Sequence, residues 1–332
     1  MTSLFFYALF ISLFMLTIVI ILTNKYQLFI DSSDSKKPQN FHKVSTPRAG
    51  GIGILSGILL LSIVPFGLKF LPSIFLAFFS GIFEDFHNSL SPKFRLFLQI
   101  IAAISAIILT DSVVTYLGLG ISMPYWLGVI FSVFAIVGMM NAINIIDGFN
   151  GLASGVILFI LASFSFITFH HNCDNILSII YITAGATMGF FILNFPKGKI
   201  FLGDGGAYLL GFIVALLGIY LTSTYDDISP WYIITIFIYP VWEVLFSIGR
   251  KLSIGLSPLQ PDKYHMHMLI YRQITKNNPL TTFFILILLL PSTLASTLYA
   301  HSSIINLIIS CFFVVTYLLL YHFLYKKDIQ PS

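Results

Sequence analysis

Apolar segments alternate with short polar segments from one end of the chain to the other. Because a helix rises 1.5 Å per residue, about 20 apolar residues are enough to cross a bilayer. The pattern predicts eleven transmembrane helices, over residues 4–22, 50–68, 70–83, 96–110, 126–146, 152–169, 176–195, 207–223, 231–248, 280–300 and 304–325. The third and fourth are short, and merging them gives an alternative of ten. We predict an all-α, polytopic integral membrane protein in which residues 1–332 form a single transmembrane domain.

The composition excludes several other classes of protein. Of the 332 residues 57% are hydrophobic and only 9% are charged, and the mean hydropathy is +0.94. A soluble domain carries charge on about a quarter of its residues, so a cytosolic enzyme, a secreted scaffold and a disordered chain are excluded. The two cysteines, Cys173 and Cys311, are too few for a disulfide framework or a thiolate metal site.

The positions of the lysines and arginines predict the orientation, since these residues accumulate on the cytoplasmic side of a membrane. With the N-terminus outside and the C-terminus in the cytoplasm, sixteen of the seventeen fall in cytoplasmic segments and only Lys69 does not. These segments are 23–49, 84–95, 147–151, 196–206, 249–279 and 326–332. The first five also contain the candidate chemistry, so we expect an active site that faces the cytoplasm.

Acidic residues occur where inward-running helices are predicted to reach the cytoplasm: Glu84 and Asp85, Asp147, and Asp204. Solvated helix-end charges are the simpler interpretation. However, an acid at a helix C-terminus opposes the helix dipole, and Asp147 and Asp204 lie in Gly-rich turns that lead into the next helix, where anions bind. Mg²⁺ prefers oxygen ligands and is completed by substrate phosphates. The acids therefore predict a magnesium site if they converge.

The last cytoplasmic segment is basic and contains two histidines. His265 and His267 are two residues apart, which suits an extended segment crossing a site, and Arg250 and Lys251 precede them as candidate phosphate ligands. Two isolated histidines are more often structural than catalytic. Beside an acidic metal cluster, however, such a segment is what a diphosphate-containing substrate requires.

Glu243 is the one charged residue deep in a predicted span. Acids inside a membrane are usually functional or paired. Because Glu243 and Arg250 are seven residues apart, two helical turns on one face, our hypothesis is a structural link between them through water or a substrate group.

Five segments in order resemble the polyprenyl-phosphate N-acetylhexosamine-1-phosphate transferases of glycosyltransferase family 4. They are HKVSTPRAGGIGI from His42, GIFEDF from Gly81, NAINIIDGFNGLASG from Asn141, NFPKGKIFLGDGG from Asn194 and SPLQPDKYHMHM from Ser257. The family includes initiators of O-antigen, enterobacterial common antigen and teichoic acid linkage units, and more distantly the phospho-MurNAc-pentapeptide translocase. Eleven spans with the N-terminus outside also suit the O-antigen branch.

The resemblance implies roles for the matching residues. The catalytic residues would be Glu84, Asp85, Asp147, His265 and His267. Asp204, with Asp147, would hold Mg²⁺, for which Mn²⁺ is the alternative. The substrate-binding residues would be His42, Arg48, Gly50, Gly51, Asn141, Asn144, Asn150 and Asn194, in addition to the Arg250 and Lys251 named above.

Three positions depart from the family pattern. Glu84 stands where an aspartate is usual, Asn150 where many members have a second acid, and Met268 where a third histidine is common. Glutamate keeps the charge on a longer side chain, whereas methionine removes any phosphate contact. Together the three departures favour a variant sugar-nucleotide substrate over the substrate of the peptidoglycan translocase.

The implied activity is a Mg²⁺-dependent phosphotransferase in the bacterial inner membrane. It would transfer a sugar 1-phosphate from a UDP-linked amino sugar of the N-acetylhexosamine type to undecaprenyl (polyprenyl) phosphate, release UMP, and start a cell-surface glycan such as O-antigen in lipopolysaccharide synthesis. Membrane lipid is the expected surrounding, nucleic acid is not an expected partner, and a homodimer is left open. The alternatives are a secondary transporter and a family member that binds a sugar nucleotide without turnover.

Overall fold

The computed structural model describes residues 1–26, 46–87, 90–257 and 263–329. Within these ranges the chain forms thirteen α-helices and no β-strand longer than an isolated bridge. The helices are α1 Thr2–Tyr26, α2 Gly50–Ile58, α3 Leu71–His87, α4 Pro92–Thr110, α5 Tyr125–Ile146, α6 Leu152–His170, α7 Asp174–Asn194, α8 Gly203–Thr224, α9 Pro230–Ile236, α10 Ile238–Ser253, α11 Met266–Ile270, α12 Asn278–Leu298 and α13 Ser303–Ile329.

The predicted class of helical, multi-span membrane protein is confirmed, whereas the count of eleven spans is not. In the described part of the chain, nine helices are long and apolar enough to cross a membrane, and the pair α9–α10 would be a tenth. The second predicted span is a shorter apolar helix over Gly50–Ile63. The two short spans predicted from the pattern are instead full length, over Gly67–Asp85 and Pro92–Thr110.

The span predicted over residues 231–248 is broken. Helices α9 and α10 are bent by 76° at Phe237. Pro240 lies in the first turn of α10 and has no N–H to donate to the preceding helix, which is a common cause of a sharp bend. The bend gives α10 a direction of its own. This helix carries Glu243, and Arg250 and Lys251 lie in its last turn.

Helix α8 forms the centre of the bundle. Its span is 89% buried, and α2, α3 and α5 pack against it. The helix is apolar on all sides and has small residues where neighbours approach: a Cβ on Gly211 would be 2.7 Å from Cα of Met140 in α5. Such contacts let helices pack closely in a membrane. The beginning of α8, at Gly203 and Asp204, is thereby surrounded by three other helices.

Candidate active site

The carboxylate of Asp85, in α3, caps the beginning of α8. Oδ1 of Asp85 accepts a hydrogen bond from the N–H of Asp204 and Oδ2 accepts one from the N–H of Gly205, both at 2.9 Å. The first N–H groups of a helix have no partner within it, and a negative charge there interacts favourably with the helix dipole. Gly203 (φ +76°) allows the carboxylate to approach this closely, because a Cβ on residue 203 would be only 2.6 Å from Oδ2 of Asp85 and would clash with it. Asp85 therefore holds the backbone that carries Asp204.

The carboxylate of Asp204 is the meeting point of four segments. Its Oδ1 accepts from Nδ2 of Asn144 at 3.0 Å and from Nη2 of Arg48 at 3.5 Å. Its Oδ2 accepts from Nη1 of Arg95 at 2.8 Å. We call Arg48, Arg95, Asn144 and Asp204 the Asp204 cluster. It places two guanidinium groups beside one carboxylate, an excess of positive charge that suits anionic ligands.

Glycines bring the surrounding backbone close to this cluster. The N–H of Gly50 donates to the carbonyl of Phe201 at 2.9 Å, and that of Gly51 donates to the carbonyl of Leu202 at 3.0 Å. A Cβ on Gly51 would be 2.5 Å from the nitrogen of Gly206. The two glycines predicted to bind substrate therefore have a visible packing role, which is to seat the segment that carries Arg48 against the start of α8.

Asp147 follows the last residue of α5 and shares the electrostatic environment of the Asp204 cluster. Its side chain is partly buried. Burial raises the pKa of the Asp147 carboxyl from its ordinary value of 3.8 to about 7, Arg48 opposes this rise, and Asp204 adds to it. The carboxyl is therefore close enough to both residues to respond to their charges.

Two of the predicted substrate-binding asparagines stabilise loops. The side chain of Asn150 donates to the carbonyl of Pro196 at 3.0 Å, and Oδ1 of Asn194 accepts from the N–H of Gly151. Nδ2 of Asn194 also donates to the carbonyl of Ile200 at 2.7 Å. Both side chains are buried. They tie the 147–151 loop to the segment that leads into α8.

Asn141 lies one turn before Asn144 in α5 and donates to Oε1 of Gln99 in α4 at 2.8 Å. It thus joins the helices that carry Asn144 and Arg95. Glu84 precedes Asp85 at the end of α3, and its Oε2 is buried without a hydrogen-bond partner in the described chain. His42 lies outside the described residues.

The histidines form a second group, with partners that the sequence did not indicate. Nδ1 of His265 lies 3.1 Å from Oε2 of Glu243, and Nδ1 of His267 lies 3.3 Å from the hydroxyl of Tyr239. We call Tyr239, Glu243, His265 and His267 the histidine cluster. The described partners of Glu243 are His265, the N–H of Met266 and the hydroxyl of Tyr317, and none of them is Arg250. A link between Glu243 and Arg250 through water or a substrate group stays a prediction.

The prediction of an extended histidine segment is correct only for its first residue. His265 has extended backbone angles, but α11 begins at Met266, so His267 lies in a helix. The ring of His267 packs edge-on against Phe149, with ring centres 5.6 Å apart. A Cβ on Gly148 would be 3.6 Å from Nε2 of His267. The histidine cluster therefore contacts the 147–151 loop, which connects it to the Asp204 cluster.

Basic side chains surround the residue that precedes His265. The charged groups of Arg250, Lys263 and Arg272 lie 5.5, 5.6 and 5.8 Å from the ring centre of Tyr264. Cations at this distance interact favourably with an aromatic face. Lys251, the other predicted phosphate ligand, is buried in the last turn of α10.

Arg95 is the member of the Asp204 cluster that was not predicted. It lies in the first turn of α4, where a basic residue opposes the helix dipole. The same argument drew attention to the acids at helix C-termini, and it would have identified Arg95. The side chain is 19% exposed, and its Nε is buried without a partner among the described residues.

The donor set fits a magnesium ion that depends on its substrate. Among the described residues, no three His, Cys, Asp or Glu side chains form a ready metal site. Mg²⁺ commonly binds through one or two carboxylates and takes its remaining ligands from substrate phosphates and water. Asp204 and Asp147 supply two carboxylates in one electrostatic environment, and Arg48 and Arg95 supply charge for the phosphates.

The chain is similar to known proteins over a segment that contains most of the Asp204 cluster. The sequence profile of glycosyl transferase family 4 matches residues 68–222. A probable undecaprenyl-phosphate N-acetylglucosaminyl 1-phosphate transferase of Bacillus subtilis is 30% identical, over 76% of this chain and 74% of the relative. An undecaprenyl-phosphate alpha-N-acetylglucosaminyl 1-phosphate transferase of Thermotoga maritima is 29% identical, over 79% and 80%.

A phospho-N-acetylmuramoyl-pentapeptide-transferase of Streptococcus agalactiae is 27% identical, over 68% of each chain. The two kinds of relative differ little in identity, so identity alone does not choose between their substrates. The profile match includes Asp85, Asp147 and Asp204, and the resemblance drawn from five short motifs is confirmed over most of the chain. This protein belongs to glycosyl transferase family 4.

Proposed function

We propose that this protein transfers a sugar 1-phosphate from a UDP-linked N-acetylhexosamine to undecaprenyl phosphate and releases UMP. Relatives from Bacillus subtilis and Thermotoga maritima are named for such a transfer of N-acetylglucosaminyl 1-phosphate. Within the molecule, the observation that supports the proposal most directly is the convergence of Arg48, Arg95 and Asn144 on Asp204.

The reaction brings two anions together. An oxygen of the lipid phosphate attacks the phosphorus that carries the sugar, and the bond from this phosphorus to the oxygen of UMP breaks. Repulsion between the reactants and charge on the leaving group both have to be offset. Arg48 and Arg95, whose side chains are 31% and 19% exposed, can turn from Asp204 to phosphate oxygens.

Asp204 and Asp147 would hold Mg²⁺, or Mn²⁺ in its place. The bound ion would neutralise charge on the diphosphate and on the leaving UMP. A phosphate whose second pKa is about 6 is mostly dianionic at neutral pH, so the acceptor needs a positioned partner more than a strong base.

The two acids at the end of α3 have different surroundings, and we assign them different roles. Both oxygens of Asp85 accept backbone hydrogen bonds, so Asp85 positions Asp204. Glu84 has the oxygen without a partner, so Glu84 is our candidate to position or deprotonate the acceptor phosphate. His265 and His267, with Arg250 and Lys251, would neutralise phosphate oxygens of the donor.

The proposed setting is the bacterial inner membrane, with eleven crossings, the N-terminus outside and the active site facing the cytoplasm. The distribution of lysine and arginine supports this orientation. The product would be the first lipid-linked sugar of a cell-surface glycan of the O-antigen type. A transporter is not favoured, because the relatives are transferases. Cross-linking of the purified protein would distinguish a monomer from a homodimer.

Release of UMP from a panel of UDP-sugars tests this function. Purified protein is incubated with undecaprenyl phosphate and Mg²⁺ or Mn²⁺, with and without EDTA. We expect metal-dependent release with at least one UDP-N-acetylhexosamine and none without the lipid. Asp204→Asn should reduce kcat by about 100- to 1,000-fold, the usual cost of losing one group that stabilises transition-state charge.

The matched control is Asp174→Asn, which changes an exposed aspartate in the first turn of α7. It should release UMP at the wild-type rate. Full activity of Asp204→Asn would refute the metal assignment. Absence of UMP with every donor would refute the transferase and leave the sugar-nucleotide-binding alternative.

A further inference from the structure

Glu243 is buried, and both oxygens of its carboxylate are hydrogen-bonded. Its side chain is 1% exposed, and α10 places it 22 residues before the histidine that it contacts. Oε1 accepts from the N–H of Met266 at 3.1 Å and from the hydroxyl of Tyr317 at 3.1 Å. A buried carboxylate is costly unless such bonds compensate for lost hydration. Three bonds to one carboxylate indicate a site built for this charge.

The third bond determines which nitrogen of His265 carries a proton. Oε2 of Glu243 lies 3.1 Å from Nδ1, and a carboxylate only accepts hydrogen bonds. Nδ1 is therefore protonated, and Nε2 is the nitrogen left for another partner. No described residue bonds to Nε2, and 8% of the side chain remains exposed.

The orientation of His265 is passed on to His267. The two rings are stacked, with centres 5.4 Å apart and planes 2° apart. His267 in turn packs against Phe149 in the 147–151 loop. The carboxylate bonded to Nδ1 of the first ring therefore orients both histidines relative to the loop that contains Asp147.

We propose that Glu243 is a positioning residue for the transfer reaction. Its carboxylate accepts the hydrogen bond from Nδ1–H and holds the ring plane of His265 so that Nε2 faces the sugar-nucleotide diphosphate; Nε2 takes up a proton from solvent when the diphosphate binds, and Nε2–H then donates to a phosphate oxygen. The proposal rests on the function proposed above for the histidines. Glu243 does not touch the substrate and acts through His265. Tyr317, from α13, supports the carboxylate from the opposite side.

Glutamine at position 243 keeps the size of the side chain and reverses one bond. The N–H of Met266 and the hydroxyl of Tyr317 both donate hydrogen bonds to Oε1 of Glu243. In E243Q the amide oxygen therefore has to occupy the position of Oε1. Its NH₂ group then faces His265 and donates to Nδ1. The ring proton moves to Nε2, and because Nδ1 now accepts from the amide, the ring can no longer carry the second proton and the positive charge that faces the phosphate. The change tests the tautomer and not the packing.

We expect E243Q to reduce kcat by about 10- to 100-fold, as when a partner that orients an active-site histidine is lost. The melting temperature in detergent should stay close to that of the wild type. ¹⁵N NMR of histidine-labelled protein should show the His265 signals, assigned by their loss in H265Q, changing from the Nδ1–H to the Nε2–H tautomer. Y317F removes a bond to the same carboxylate but leaves the contact with His265. It should keep the tautomer and lose less activity than E243Q.

A double mutant separates positioning from an independent role. E243Q/H265Q should react at the rate of H265Q alone, because the two residues would act as one unit. A further loss in the double mutant, an unchanged tautomer in E243Q, or wild-type kcat in E243Q would each overturn the proposal. If the wild type releases no UMP with any donor, the proposed transferase function is refuted. The NMR comparison of the wild type with E243Q then still tests whether Glu243 controls the tautomer of His265.

Discussion

The Asp204 cluster and the histidine cluster each contain a carboxylate among polar partners, but they hold it differently. The side chain of Asp204 is 13% exposed and that of Glu243 is 1% exposed. Asp204 faces two partly exposed guanidinium groups, whereas Glu243 faces a histidine ring, a backbone N–H and a tyrosine hydroxyl. The position of Asp204 is set by the backbone of its helix, and that of Glu243 by bonds to its own oxygens.

In the proposed reaction, Asp204 would exchange its partners whereas Glu243 would keep them. The arginine side chains would leave Asp204 for a phosphate, and a metal ion would take their place. Glu243 has no such freedom, because each partner is fixed in a helix or at its start. We therefore expect the first region to be sensitive to changes in the backbone cap and helix packing, and the second to changes in hydrogen-bond polarity.

The largest effect on stability should come from Asp85→Ala. The change leaves two buried N–H groups at the start of α8 without an acceptor, and each costs about 1–3 kcal/mol. Thermal unfolding in detergent measures the loss, and UMP release should fall with it because Asp204 shifts. Asp174→Ala, at the exposed start of α7, should cost at most about 1 kcal/mol. Equal destabilisation by the two changes would contradict the capping role of Asp85.

A moderate effect is expected from Gly51→Ala. The new Cβ would be 2.5 Å from the backbone nitrogen of Gly206, which cannot move without displacing α8, so we expect a loss of about 1–3 kcal/mol. Gly138→Ala is the matched change, because a Cβ there would meet nothing within 4 Å. It should be neutral or stabilise α5 by up to about 1 kcal/mol. The measurement is the melting temperature of each variant. A Gly51→Ala protein that melts at the same temperature as the wild type would refute the close approach of α2 and α8.

The smallest effect should come from Asp328→Asn, near the end of α13. Asp328 pairs with Arg272 at 2.9 Å, beyond the histidine cluster, and partly exposed ion pairs contribute about 0–1 kcal/mol. Arg272 keeps its bond to the carbonyl of Lys263 at 2.7 Å. UMP release should therefore change little. A loss as large as that of E243Q would show that the end of α13, and not Glu243 alone, orients the histidines.

Much of the Asp204 cluster could be predicted because its members lie in short motifs next to helix ends. Arg48, Asn144 and Asp204 were all named from the sequence, and the structure brings them together. Arg95 was missed because it lies outside the five motifs, in a helix that also carries Lys93. The roles of Asn150 and Asn194 were also not visible, since an amide that binds substrate and one that binds a loop carbonyl look the same in a sequence.

The partner of Glu243 could not be predicted for a geometric reason. Spacing along one helix pointed to Arg250, whereas the actual partners come from the segment that follows α10 and from α13, 74 residues away. Helical periodicity describes neighbours on one helix and carries no information about which helices meet. The same limit applies to the 76° bend, which turned one predicted span into two helices.

The sequence by itself determined the helical membrane class, the family and most of the charged residues of the candidate site, because apolar length, charge position and motif order are properties of the chain. Only the tertiary structure decided that Asp85 caps the helix of Asp204, that Arg95 joins this cluster, and that Glu243 supports His265. The first two contacts join residues 119 and 109 positions apart, and the third joins α10 to the segment that follows it. Which helices meet depends on close packing at Gly51, Gly206 and Gly211 and on the satisfaction of buried polar groups.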